Sequence, residues 1–143
     1  MYNRTKLVIY IKIIMLITKR NEYALQAMII LARQEKDRPL AASALAKHLK
    51  TTPAFMSKIA QQLAKAGLLT TRRGKAGGLF LGKPANRILV KDIFAAVDGA
   101  LSVSVCMNQG RCRHHVCPIY PALTKLQKDL DDKLNLARLS TFI

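Results

Sequence analysis

The chain of 143 residues carries 24 lysines and arginines against 8 acidic residues, a formal net charge of +16. Half of its residues are hydrophobic, which excludes a disordered chain, and the length allows one compact domain with an appended element rather than two large domains. Such a charge excess is typical of proteins that bind a polyanion, either nucleic acid or an anionic membrane surface.

The first segment is apolar from Leu7 to Ile17, apart from Lys12. These 11 residues are too few to span a bilayer, which needs about 20, and no small-residue cleavage site follows them. We therefore expect translation to begin at Met15 and residues 1–14 to be a non-native extension. Without them the net charge is still +13.

The next segment predicts three helices from the three- and four-residue spacing of its apolar side chains. The first begins at Thr18, which can cap it, and the second covers residues 42–49. The third begins at Pro53 with Thr52 as its cap and ends at Gly67.

Two short runs, 68–72 and 79–81, predict strands joined by a basic, glycine-rich tip at residues 73–78. Three helices followed by such a hairpin form the arrangement of a winged helix-turn-helix, which we predict for residues 15–84. This segment holds 13 basic and 3 acidic side chains, a net charge of +10, against +3 for residues 85–143. The polyanion is therefore expected to bind here.

Two groups of residues are candidates for contact with double-stranded DNA. Side chains near the start of the third helix can reach base edges in the major groove, and a thin cationic hairpin can contact the backbone or the minor groove. The candidates are Ala54, Phe55, Ser57 and Lys58 on the helix and Arg72, Arg73 and Lys75 on the hairpin. Lys47, Lys50 and Lys65 are either phosphate contacts or solvated charges.

The remaining chain predicts a connecting helix within residues 85–99, an irregular segment at 100–118 and a long amphipathic helix within 119–143. In this helix we expect one apolar side, formed by Leu123, Leu126, Leu130, Leu134 and Ala137. The predicted fold class is mainly α with a small β wing.

Three cysteines lie close together in the irregular segment, at Cys106, Cys112 and Cys117. Three thiolates within twelve residues can hold one metal centre, and sulfur favours iron–sulfur clusters or zinc. His114 or His115 could complete a zinc site. The spacing also allows a metal-free thiol switch or inert cysteines. All these readings suit a reducing, cytoplasmic compartment.

Several motifs together resemble the Rrf-type family of bacterial winged-helix regulators. They are MLITKRNEYALQAM at 15–28, GLL at 67–69, RGKAGGLFLGK at 73–83, IFAAVDG at 93–99 and the three-cysteine segment. The resemblance implies a homodimer with a C-terminal dimerisation helix, and an iron–sulfur cluster, [2Fe-2S] or [4Fe-4S], whose state controls DNA affinity. It also supports a start at Met15.

The sequence departs from the family at the fourth cluster ligand. The IscR branch has a longer second gap between its cysteines and a histidine ligand at the place where Tyr120 stands here. In the NsrR-like branch an acidic residue of the first helix binds the partner subunit's cluster, and Glu22 occupies that place. Glu22 is otherwise a surface or helix-dipole charge. The cluster type and its fourth ligand therefore stay open.

We expect a homodimeric transcription regulator, acting as a repressor, that senses iron, nitric oxide or redox state through a cluster on the three cysteines. One alternative is a winged-helix regulator that uses zinc or a thiol switch. Another is a basic membrane-surface protein anchored by residues 1–20, although we expect no membrane partner. An enzyme is not expected, because the sequence presents no acid/base pair and no nucleophile–base constellation.

Overall fold

The computed structural model of the protein describes residues 17–34, 38–104 and 117–143. The expected N-terminal extension at residues 1–14 and the expected start at Met15 lie outside these ranges. Cys106 and Cys112 lie outside them too, so their predicted role as metal ligands stays a prediction.

The elements within the described ranges follow the predicted order. They are α1 (Lys19–Arg33), α2 (Ala42–His48), α3 (Pro53–Lys65), β1 (Leu69–Arg72), β2 (Gly78–Leu81), α4 (Val90–Asp98) and α5 (Tyr120–Leu136). Two 3₁₀ helices, Ala85–Arg87 and Leu139–Phe142, are additional to the prediction. The result is a mainly helical fold with a two-stranded antiparallel sheet.

The capping residues that the sequence predicts are in place. The Thr18 hydroxyl oxygen accepts a hydrogen bond from the backbone N–H of Asn21 at 3.2 Å. The Thr52 hydroxyl oxygen accepts one from the backbone N–H of Phe55 at 3.3 Å. Such caps each contribute about 1 kcal/mol of stability. Beyond the end of α3, Gly67 has φ +72°, a left-handed conformation that glycine adopts without strain.

One apolar core unites α1 to α4 and the sheet. Its largest fully buried apolar side chains are Met28, Leu45, Met56, Ile59, Leu63, Ile88, Ile93 and Leu139. Full burial of such a side chain stabilises the fold by about 1.5–3 kcal/mol. Leu139 follows α5 in the chain, and its backbone N–H donates to the Ile88 carbonyl at 2.9 Å. The C-terminal 3₁₀ helix is thereby joined to the core.

The apolar side of α5 differs from the prediction at one position. Leu123, Leu130 and Leu134 are half-buried, but Leu126 is 55% exposed. With 3.6 residues per turn, Leu130 and Leu134 lie within about 20° of Leu123 around the helix, and Leu126 lies roughly 60° away. Gln127 lies closer to the direction of these three leucines than Leu126 does, and Gln127 is half-buried. No residue of α5 is fully buried.

A membrane-spanning helix is not found in the part of the chain that the structure describes, since none of its helices is both long and apolar enough.

Candidate nucleic-acid interface

The recognition helix α3 has one buried and one exposed face. Its buried face consists of Met56, Ile59, Ala60 and Leu63. Its exposed face consists of Ala54, Lys58, Gln61 and Lys65, with Ser57 half-buried beside it. Three of the predicted DNA candidates therefore lie on or next to the exposed face. Gln61 was not among the predicted contacts, although its spacing already places it away from the apolar stripe of α3.

Phe55 has a different environment from the other three candidates. It is half-buried and packs against the core, and its ring meets the Tyr23 ring edge-on, with centroids 5.7 Å apart and planes at 81°. Such aromatic pairs favour this geometry. The ring of Phe55 therefore joins α3 to α1, and its predicted contact with DNA stays a prediction.

The turn between α2 and α3 contains a strained residue. Lys50 has φ +53°, which side chains other than glycine, asparagine and aspartate rarely adopt. The turn is closed by a hydrogen bond from the Thr51 backbone N–H to the Ala46 carbonyl at 2.9 Å. Lys50 is exposed, so its ammonium group extends into solvent at the start of the recognition helix.

The hairpin requires glycine at its tip. A Cβ on Gly77 would lie 2.3 Å from the backbone oxygen of Arg72, and Gly74 has φ +103°. The Gly77 backbone N–H donates to the Gly74 carbonyl at 2.9 Å, which closes the tip. The glycine-rich segment therefore allows a turn too tight for other residues.

The hairpin is also attached to the helix-turn-helix. Leu40, just before α2, forms an antiparallel bridge with Leu79 of β2. The Leu79 backbone N–H donates to the Leu40 carbonyl at 2.9 Å. The wing is therefore joined to the segment that leads into α2.

Three cationic side chains stand on the wing. The Arg72 guanidinium lies 4.6 Å from the centroid of the Phe80 ring on the neighbouring strand. Arg73 and Lys75 are exposed at the tip. In the described ranges the ion pairs join Lys19 to Glu22 and Arg20 to Asp98, so none of the wing cations is neutralised there.

A group of polar contacts holds the protein-facing side of α3. Arg20 of α1 forms an ion pair with Asp98 at 2.9 Å and donates to the Gln62 side-chain oxygen at 2.7 Å. The Gln62 amide nitrogen donates to the Val97 carbonyl at 3.3 Å. The Thr18 hydroxyl donates to the Asp98 carboxylate as well.

Two of the candidate metal ligands are described. Cys117, just before α5, has a free, partly buried thiol. Glu22 is exposed on α1 and accepts a hydrogen bond from Lys19 at 2.7 Å. This bond, with the carboxylate charge, raises the pKa of the Lys19 ammonium. Within the described ranges, no three His, Cys, Asp or Glu side chains form a group that could hold a metal ion.

A helix-turn-helix followed by a glycine-tipped, cationic hairpin defines the class of winged-helix DNA-binding regulators. A family model described as "Rrf2: Iron-dependent Transcriptional regulator" matches residues 17–143. The chain belongs to the Rrf2 family, and it is a transcriptional regulator with a DNA-binding winged helix. The family resemblance inferred from the sequence is confirmed.

Individual relatives agree with this family. The chain is 37% identical over 118 residues to YffB of Lactococcus lactis, a candidate HTH-type transcriptional regulator, covering 76% of this chain and 74% of YffB. It is 28% identical over 120 residues to the transcriptional regulator IscR of Cronobacter sakazakii, covering 84% and 72% of the two chains.

The fold is shared with a solved structure. CymR, the global cysteine regulator of B. subtilis, superposes with a TM-score of 0.73 at 22% identity, over 87% of this chain and 92% of CymR. The predicted fold class, mainly helical with a small β wing, is therefore confirmed.

Proposed function

We propose that the protein is a homodimeric repressor that binds double-stranded DNA through α3 and the wing, under the control of an iron–sulfur cluster. The observation that carries the DNA-binding surface is the cationic charge on the wing, which has no ion-pair partner in the described ranges. The proposed contacts are Ala54, Ser57 and Lys58 on α3 and Arg72, Arg73 and Lys75 on the wing.

The two parts of this surface perform different tasks. Lys58 is exposed on a helix that fits the major groove, where its ammonium group can donate to guanine acceptors. Arg73 and Lys75 stand on a narrow hairpin and can neutralise phosphates or enter the minor groove. We therefore infer that α3 supplies sequence preference and that the wing supplies affinity.

Salt dependence and charge removal test this surface. The slope of log affinity against log salt should be about −0.9 per phosphate contact, and Arg73→Ala should reduce its magnitude by about one contact. Lys58→Ala should change the preferred sequence. Lys91→Ala is the matched control, because Lys91 is an equally charged, exposed residue of α4. If Arg73→Ala, Lys58→Ala and Lys91→Ala bind DNA with the same affinity, salt slope and sequence preference, α3 and the wing do not form the DNA-binding surface.

The cysteines supply the donors that a cluster requires. Cys106, Cys112 and Cys117 offer three thiolates, which suits an iron–sulfur cluster, and Arg111 and Arg113 between them favour the thiolate form. When bound, the cluster would supply a centre that reacts with oxygen or nitric oxide. Glu22 is the proposed fourth ligand, given to the partner subunit's cluster.

Glu22 must release Lys19 to serve as that ligand. The Lys19 ammonium forms an ion pair with the Glu22 carboxylate at 2.7 Å. Because both side chains are exposed to water, this ion pair contributes little stability. The carboxylate is therefore available to a stronger partner at little cost.

Anaerobic purification followed by visible absorption spectroscopy tests the cluster. We expect a brown protein whose colour is lost on exposure to nitric oxide, and a colourless Cys112→Ala variant. Glu22→Gln should keep the cysteine ligands and shift the spectrum, whereas Lys19→Met should not. If the wild-type protein is colourless and holds stoichiometric zinc, the cluster proposal fails and the zinc alternative is favoured. If it holds no metal, the thiol switch is favoured.

The proposed homodimer is supported by the exposed apolar residues of the C-terminal region. Ile119, Tyr120, Leu126 and Leu136 are 61%, 45%, 55% and 76% exposed. An amphipathic helix with this much apolar surface is typical of a subunit interface. A second copy that packs against α5 would bury these side chains and would set the spacing between two recognition helices.

A further inference from the structure

Two groups of polar contacts, linked by the backbone of residues 99–100 and here together named the polar relay, join the C-terminal helix α5 to the recognition helix α3. It consists of Gln127, the backbone of residues 101–103, Asp98, Arg20 and Gln62. We propose that the polar relay positions α3, so that a displacement of α5 is transmitted to the surface that binds DNA. The inference rests on the proposed function in one respect, namely that α3 is the DNA-binding helix.

At the α5 end, one side-chain amide binds the backbone of the segment that follows α4. The Gln127 side-chain oxygen accepts a hydrogen bond from the Val103 backbone N–H at 2.9 Å. The Gln127 amide nitrogen donates to the Leu101 carbonyl at 3.1 Å. Both bonds are possible only because a carboxamide carries a donor and an acceptor together. Leu101 to Val103 is thereby tied to α5.

In the middle of the relay, Asp98 is the last residue of α4 and precedes this tied segment by three positions. Its carboxylate accepts a hydrogen bond from the Thr18 hydroxyl and forms an ion pair with Arg20 at 2.9 Å. The Asp98 side chain is 17% exposed and that of Arg20 is 35% exposed, so the pair is less screened by salt than a surface pair. A shift of Asp98 therefore carries Arg20 with it.

At the α3 end, Gln62 is held from two sides. Its side-chain oxygen accepts from Arg20 at 2.7 Å, and its amide nitrogen donates to the Val97 carbonyl at 3.3 Å. Gln62 lies one helical turn after Lys58 and is half-buried, at the edge between the exposed and the buried face of α3. Because α3 is a rigid helix, the position of Gln62 determines where Lys58 stands relative to a DNA groove.

The directional nature of these contacts is the reason that they position the helix. Hydrogen bonds weaken steeply when distance or angle departs from the optimum, so they transmit small displacements. The apolar contacts of α3 with the core supply most of its stability, and the hydrogen bonds of Gln62 add directional restraints at the edge of its buried face. Gln62 and Arg20 are therefore positioning residues for DNA binding, and the core supplies most of the stability.

A double-mutant cycle on DNA affinity tests the relay, with a duplex selected from a random-sequence library as the probe. Gln62→Met removes two side-chain hydrogen bonds and Gln127→Met removes three, one of them to Asp131 within α5, and neither changes charge. Each should weaken binding by about 3- to 10-fold. If both act through one relay, the double variant should be no weaker than the weaker single variant. If the two losses multiply, or if neither variant loses affinity, the relay is overturned.

Lys91→Met is the matched control for the cycle. The Lys91 ammonium donates to the Asn135 side-chain oxygen at 2.5 Å, so this contact also joins α5 to α4 but does not involve α3. Its effect should multiply with that of Gln62→Met. If the effects of Lys91→Met and Gln62→Met on affinity do not multiply, any loosening of α5 reaches α3. The assignment of the relay to Gln127, Asp98, Arg20 and Gln62 would then be overturned.

Hydrogen exchange separates failure of the relay from failure of the proposed function. Without DNA, the backbone amides of α3 should exchange faster in Gln127→Met than in the wild type, and Lys91→Met should leave them unchanged. This result would support the relay even if the protein bound no duplex, in which case only the proposed function would fail. Unchanged exchange in Gln127→Met would overturn the relay whatever the protein binds.

Discussion

The recognition helix α3 and the C-terminal helix α5 are both amphipathic, yet they use their apolar sides differently. Four residues of α3 are buried, whereas α5 has none. Leu63 of α3 is inaccessible to solvent, while Leu126 of α5 is 55% exposed. The apolar side chains of α3 pack within their own chain, whereas α5 leaves apolar side chains exposed on its surface.

This contrast indicates how the two helices divide their tasks. Because α3 is anchored by core packing, its exposed face can be specialised for contact with a partner without loss of the fold. No residue of α5 is buried, so in the proposed homodimer its position could respond to the second subunit. The proposed polar relay connects the two helices, so a displacement of α5 would be transmitted to α3.

The largest expected effect comes from opening the core beneath α3. Leu63→Ala should lower the free energy of unfolding by about 2–5 kcal/mol, because the removed methyl groups leave a cavity. Leu130→Ala, at a half-buried position of α5, is the matched comparison and should cost clearly less. Urea denaturation followed by circular dichroism measures both. Equal losses would contradict the contrast between the helices.

The next effect concerns self-association through α5. Leu126→Glu places a charge on the exposed apolar surface and should weaken dimerisation by about 2 kcal/mol or more, since an unpaired charge would be buried in the interface. Sedimentation velocity across a concentration series measures this loss. Lys125→Glu, at the exposed neighbouring position, is the control. A Leu126→Glu protein that associates like the wild type would place the interface elsewhere.

A smaller effect is expected from the wing. The Cβ in Gly77→Ala would lie 2.3 Å from the Arg72 backbone oxygen, so the tip must open and the cationic side chains must move. DNA binding should weaken by about 1–2 kcal/mol, the cost of a few misplaced phosphate contacts. Fluorescence anisotropy with a labelled duplex measures it, and Ala76→Ser at the exposed neighbouring position is the control. Retained affinity would show that the tip does not contact DNA.

The smallest effect separates strain from charge at Lys50. Lys50→Gly relieves the φ of +53° and should raise the free energy of unfolding by about 0.5–1 kcal/mol, while DNA affinity becomes less dependent on salt by about one phosphate contact. Lys50→Asn also tolerates the left-handed conformation and lacks the charge, so it should show the same loss of salt dependence. An unchanged salt slope in both variants would mean that Lys50 is only solvated.

The predicted elements agree closely with the structure because their signals are local. Thr52 caps α3 as expected, and Gly67 adopts the left-handed conformation after it. A cap or a glycine acts on residues within one turn of itself, so the neighbouring sequence contains all the information that is needed. The hairpin is similar, since its glycines decide the turn by their own backbone freedom.

The candidate interface was predicted less completely, because exposure depends on packing. Phe55 shares the start of α3 with Ala54 and Ser57, but its contact with Tyr23 from another helix decides where its ring lies. Leu126 belongs to the apolar periodicity of α5, yet the rotation of that helix against the core leaves it exposed. Neither outcome follows from the spacing of apolar residues along one helix.

The sequence by itself determined that the chain is a winged-helix protein with a charged, glycine-tipped hairpin. Periodicity, capping residues, glycines and charge density all act over a few neighbouring positions, so the elements that they determine can be predicted from the sequence. Only the tertiary structure decided which polar side chains meet across elements, as in the contacts that join Gln62, Arg20 and Asp98. These residues are far apart in the chain, and their contacts exist because packing of the core brings α1, α3 and α4 together.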